Sequence, residues 1–89
     1  MNNILFIKEY NLHGRLIYGR YPAGDEIWYD SNGNVIHFKY SNGHEEWFEY
    51  DQNGNEIHWW NSKGIEYWWD SKGRKITKKE YEKLFGTDP

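Results

Sequence analysis

Tyr29-Asp30-Ser31-Asn32-Gly33-Asn34-Val35-Ile36-His37 and Tyr50-Asp51-Gln52-Asn53-Gly54-Asn55-Glu56-Ile57-His58 are two copies of one motif, 21 residues apart. The match continues through Ser41/Ser62, Gly43/Gly64, Glu45/Glu66 and Trp47/Trp68 at the same offset. An earlier copy, two residues shorter, starts at Tyr10-Asn11-Leu12-His13-Gly14 and runs to Trp28. A final half copy is Trp69-Asp70-Ser71-Lys72-Gly73-Arg74-Lys75-Ile76. Glycines at 14, 24, 33, 43, 54, 64 and 73 thus recur every 9 to 11 residues. That spacing marks short strands joined by tight turns.

Two loop lengths are expected to alternate. Asn32-Gly33 and Asn53-Gly54 suit two-residue type I′ turns, in which both central residues take positive φ. Pro22-Ala23-Gly24, Ser41-Asn42-Gly43 and Ser62-Lys63-Gly64 suit three-residue loops ending in a left-handed glycine. Under these rules Tyr50 pairs with Ile57, Phe48 with Trp59, Trp59 with Tyr67 and Ile57 with Trp69. Upstream, Tyr29 pairs with Ile36, Ile27 with Phe38 and Ile17 with Tyr29. Side-chain parity then holds across four hairpins. One face carries Ile17, Ile27, Tyr29, Ile36, Phe38, Tyr40, Phe48, Tyr50, Ile57, Trp59, Tyr67 and Trp69, and reads as the core face. The other mixes Trp28, Val35, His37, Lys39, Glu45, Trp47, Glu49, Glu56, His58, Trp60, Glu66, Trp68 and Asp70, and reads as wet or partner-facing.

The chain ends differently. Thr77-Lys78-Lys79-Glu80 has the form of a capping box, Tyr81, Leu84 and Phe85 follow at helical spacing, and Gly86 is placed to stop the helix. A helix over about 77–86 is expected, with its Tyr81/Leu84/Phe85 stripe on the apolar face. It spans about 13 Å, against roughly 30 Å for seven strands, so a curled sheet, a second subunit or a target must cover the remaining rings. The fold class expected is mainly β: an antiparallel meander of about seven short strands in a twisted sheet, residues 3–76, with one C-terminal α-helix. The whole of 1–89 reads as a single domain.

Composition agrees. The chain has 89 residues with 6 Trp, 8 Tyr and 4 Phe, yet only 37% of residues are apolar and mean hydropathy is −1.11. Large rings with polar edges suit half-exposed sheet surfaces, and so many rings exclude the aromatic-poor composition of disorder. No cysteine is present, which excludes disulfides and Cys-based zinc sites. Ile4-Leu5-Phe6-Ile7 is too short an apolar run for a leader or a span. A cytoplasmic location, in a bacterial host, is the expectation.

Charge is uneven. Residues 1–40 balance to zero, 41–70 carry seven acids against Lys63, and 71–89 carry six bases against three acids. Phosphate affinity needs clustered Lys and Arg, so direct nucleic-acid binding by the sheet is not expected.

The unit Tyr-Asp-x-x-Gly-Arg/Asn-x-Ile, followed about ten residues later by x-x-Gly-x-Glu-x-Trp/Tyr, resembles the YD repeats of RHS and teneurin-type proteins. Tyr10 to Leu16, Tyr21-Pro22-Ala23-Gly24 and Tyr29 to Asn34 carry the resemblance, which spans residues 10–76. It implies hairpin architecture; three and a half units are too few for the cargo-enclosing shells of that family. Short standalone relatives are similar to small accessory proteins of bacteria and their phages.

For chemistry, His37 and His58 occupy equivalent repeat positions beside Glu45, Glu49 and Glu56. Repetition accounts for both histidines, and a metal or acid–base site needs convergent ligands that the pattern does not supply. No nucleophile elbow or phosphate loop is present. No catalytic residue, metal or cofactor is therefore assigned. Trp28, Trp47, Trp60 and Trp68 form either a stacking platform for sugars or bases or a self-packing ladder worth about 0.2–1 kcal/mol per pair; the ladder is favoured. The acidic run from Glu45 to Asp70 serves either solubility or recognition of a basic surface.

These features point to a non-catalytic protein-binding module, dimeric, acting through Glu45, Trp47, Glu49, Glu56, His58, Trp60, Glu66, Trp68 and Asp70. Its expected use is as a small phage or mobile-element inhibitor, similar in kind to anti-CRISPR proteins, of a host nucleic-acid-processing or immune complex. The alternatives are a carbohydrate- or small-ligand-binding module built on the tryptophans, and an adaptor or immunity partner of an RHS-like toxin.

Overall fold

A computed structural model describes residues 4–86. The protein is mainly β. Eight antiparallel strands follow one another as a meander: β1 (Ile7–Tyr10), β2 (Leu16–Arg20), β3 (Glu26–Tyr29), β4 (Val35–Lys39), β5 (Glu45–Tyr50), β6 (Glu56–Asn61), β7 (Glu66–Trp69) and β8 (Lys75–Ile76). One helix, α1 (Lys78–Phe85), closes the chain. The expected seven strands become eight because the last half copy forms the two-residue β8. Contacts group the chain into two compact units, Met1–Trp47 and Phe48–Pro89.

The turns are uniform, which corrects the expected alternation of loop lengths. Asp30 N–H donates to Asn34 O at 2.8 Å and Gly33 N–H to Asp30 O at 3.1 Å. The same pair of bonds closes the turns at Asn11, Tyr21, Tyr40, Asp51, Asn61 and Asp70. Each is a three-residue loop whose glycine sits at the fourth position of a type I turn. Asn32 and Asn53 cannot form type I′ turns, since only glycines among the described residues have positive φ. The cause is the residue three before each glycine. Asp51 Oδ1 accepts the N–H of Asn53 and of Asn55, both at 2.9 Å, and Asn11, Asp30, Asn61 and Asp70 do the same in their turns. Two backbone donors captured by one side chain fix the longer loop. Tyr21 and Tyr40 lack that oxygen. There Asp25 Oδ1 accepts the Ser41 N–H at 2.7 Å and Asn42 Oδ1 that of His44 at 2.9 Å, both in the Tyr40 turn.

Parity survives in the first unit because β1–β2 and β3–β4 absorb the extra residue as a register shift. In the first unit, β3–β4 keeps the expected Ile27↔Phe38 pair, but Tyr29 faces Val35 rather than Ile36. β1–β2 shifts likewise between Glu9 and Tyr10. β2–β3 and β4–β5 run without a shift, pairing Tyr18↔Trp28 and His37↔Trp47. Tyr18, Trp28, His37 and Trp47 therefore share one face. Gly19, Ile27, Phe38 and Glu46 share the other, where Ile27 is 7% exposed. Leu5 packs on Gly19 so closely that a Cβ there would lie 2.8 Å from its methyl carbons.

In the second unit, β6–β7 pairs Trp59↔Tyr67 as expected and His58↔Trp68 on the opposite face. Trp59 stacks on Tyr67 with centroids 5.6 Å apart, Lys75 Nζ lies 4.0 Å from the Tyr67 centroid, and Ile57 is 6% exposed. The capping box of α1 is present, with Thr77 Oγ1 accepting from Glu80 N–H and the Glu80 carboxylate accepting from Thr77 N–H. The helix is not confined to the face expected for it, although Phe85 borders a hollow with Tyr50 and Ile57 of the apolar face. Tyr81 packs on His58 at 5.5 Å, on the mixed face, and Leu84 remains 60% exposed. Only Thr77 separates β8 from α1. Ile76 pairs with Trp68, which shares the mixed face with its own partner His58.

Gly54 has φ +84° and nothing within 4 Å of an added Cβ, so Gly54→Ala carries the backbone cost alone, about 1–2 kcal/mol, measurable by urea unfolding. The Arg74 backbone N–H, above all, holds the Asp70 carboxyl below its ordinary value, against an opposing effect of burial. Asn55 N–H acts likewise on Asp51, and Thr77 N–H on Glu80. Each depressed group contributes stability that is complete above its unfolded value, about 4, and lost as pH falls through the folded one. Unfolding followed by urea should show stability falling below about pH 4, and Asp70→Asn should make that fall shallower.

Candidate functional site

Cross-strand pairing sets the mixed-face rings in register, and they stack along the sheet. In the first unit Trp28 and His37 lie 4.4 Å apart at 16°, and His37 and Trp47 lie 5.0 Å apart at 7°. Tyr18 meets Trp28 at 5.2 Å and donates its hydroxyl to the Glu26 carboxylate. That bond, with burial, raises the Tyr18 pKa. His37 Nε2 donates to Glu45 Oε1 at 2.8 Å. In the second unit His58 lies between Trp60, at 4.4 Å, and Trp68, at 5.4 Å and 11°. A ring inside such a stack has its face covered by the next ring. Trp28, His37 and His58, inside the stacks, therefore have their faces covered, unlike a platform that lays a row of ring faces open to sugars or bases.

His58 is also gripped at both nitrogens, with Nδ1 2.6 Å from Glu49 Oε1 and Nε2 2.8 Å from Glu66 Oε2. Glu49 holds the Nδ1 edge of the ring and Glu66 the Nε2 edge. Among the described residues no group of three His, Asp or Glu side chains is placed to hold a metal ion.

The nine residues singled out from the sequence fall in both units. Glu45 and Trp47 belong to the first, each against His37. Glu49, His58, Trp60, Glu66 and Trp68 form one cluster in the second. Glu49 and Glu66 are half exposed, at 50% and 41% of their side chains. Glu56 is half-buried on β6, and burial raises its pKa. Asp70 has a different task. It is 8% exposed, and its carboxylate accepts from Lys72 N–H, Arg74 N–H and Arg74 Nε–H, the last at 2.7 Å.

Sequence reasoning missed the helix's share of this cluster. Docking of α1 on the mixed face leaves a hollow of about 270 Å³ in which Tyr81, Glu82 and Phe85 face Glu49, Glu66 and Trp68. The capping box announced the helix, but no residue pattern stated which side of the sheet it would take. Neither a protein-family model nor a curated protein matches the chain.

Replacing His58 by Leu removes two stacked contacts, each worth about 0.5–1.5 kcal/mol, and the clamp on both glutamates. We expect a loss of about 1–3 kcal/mol in urea unfolding and a weakened near-ultraviolet circular dichroism signal. His13→Leu, in an exposed turn, serves as the control and should change neither.

Proposed function

We propose that the chain is a non-catalytic protein-binding module, whose contact surface is the acidic and aromatic mixed face of the second unit and whose partner presents a basic surface. The observation that carries this reading is the clamp on His58. Two half-exposed carboxylates, Glu49 and Glu66, are held in place from both sides of a stacked ring. Fixing charges before encounter lowers the ordering cost of binding, and a balance of seven acids against one lysine over residues 41–70 favours fast, steered association with a cationic surface. The natural use of such a surface is to occupy a groove that otherwise holds a nucleic acid strand. Alternate residues along a strand recur at about 6.6–7 Å, similar to the spacing of phosphates. This supports a role as a small phage or mobile-element inhibitor, anti-CRISPR-like in kind, of a host nucleic-acid-processing or immune complex. No helix among the described residues is long and apolar enough to cross a membrane.

Affinity capture from host lysate tests the reading. The immobilised chain should retain a partner at about 0.1 M salt and release it at about 0.5 M, where exposed charges are screened over a few ångströms. Glu49→Gln/Glu66→Gln should lose most of the capture. Retention indifferent to both salt and the double substitution overturns the acidic face as the contact.

A further inference from the structure

The hollow beneath α1 has a chemistry of its own. Four rings, His58, Trp68, Tyr81 and Phe85, and three carboxylates, Glu49, Glu66 and Glu82, line it. Its volume, about 270 Å³, lies just below the roughly 300–1,000 Å³ of sites that enclose whole small ligands. It suits the end of one side chain entering from a partner's surface.

We propose that this hollow receives the guanidinium of a partner arginine, set against the aromatic wall with its N–H groups directed at the carboxylates. The inference rests on the protein-binding reading above and names the group that the acidic face selects. An aromatic wall beside carboxylates attracts cations through ring quadrupole and charge together. The planar guanidinium, with five donors and weak hydration, exploits both better than an ammonium does. Glu49 and Glu66 each engage His58 through one oxygen, and a carboxylate has acceptor capacity for further donors. Glu82 sits in the second turn of α1 and is half-buried. Lys78 also lines the hollow. Its ammonium opposes an incoming cation, so it limits affinity and discriminates against ligands that cannot use the rings.

Titration of the full chain with N-acetyl-arginine amide, followed by the indole N–H signals in 15N-labelled protein, tests the proposal. Signals are assigned by Trp68→Phe and Trp47→Phe. We expect saturable movement of the Trp68 indole with a dissociation constant of about millimolar, and little movement at Trp47. N-acetyl-lysine amide should bind more weakly. Glu82→Gln should weaken binding about fivefold, and Lys78→Met should tighten it. Movement without saturation, equal movement at all indoles, or indifference to Glu82→Gln overturns the arginine pocket. If the titration fails while salt-sensitive capture persists, the pocket assignment falls and the binding reading stands. If capture also fails, the reading itself falls.

Discussion

One side-chain oxygen accepting two backbone N–H groups sets the geometry of five of the seven turns, as Asp51 does for Asn53 and Asn55. A chain with so little apolar side chain cannot rely on burial to select its register. Among the described residues the buried hydrophobic side chains are those of Ile27 and Ile57. Local turn chemistry supplies the selection instead. Each loop is closed by contacts within five residues, so every hairpin forms with low loop-closure entropy and hands the next strand a defined starting parity.

Correct parity makes the ring stacks possible, and these take the place of a dry interior. In the first unit the series Tyr18, Trp28, His37, Trp47 crosses four strands, and in the second Trp60, His58 and Trp68 do the same over two. Aromatic pairs stabilise through dispersion and quadrupole contact as well as area, so rings can hold a sheet while their edges remain wet. The histidines gain a second role from being central in each stack. Their nitrogens reach sideways to Glu45, Glu49 and Glu66 and tie the acidic row to the aromatic one.

How much of this was legible follows from the range of the forces involved. The two faces could be read from the repeat, because side chains alternate at every step of a strand. Turn type was readable too, from Asp or Asn three positions before glycine. The Asn-Gly dipeptide drew attention away from that signal: type I′ turns and glycine-closed three-residue loops share it, and the residue at the first position decides between them. Glu49 and His58 were legible as neighbours on one face. Their hydrogen bond was not, because side-chain direction depends on the packing of both strands. Asp70 had the composition of a surface acid, and its inward role followed from the turn it opens.

The sequence by itself determined the kind and order of the elements, short of the two-residue β8, the side of the sheet on which each ring lies, and where the helix begins. All of these rest on contacts between residues near in the chain or on strict alternation. Only the tertiary structure decided where α1 lands, and with it that Tyr81, Glu82 and Phe85 join Glu49, Glu66 and Trp68 around one hollow. Docking of a helix compares two faces of similar aromatic content, and the difference comes from ring fit against His58. That fit is not written in any local pattern of residues.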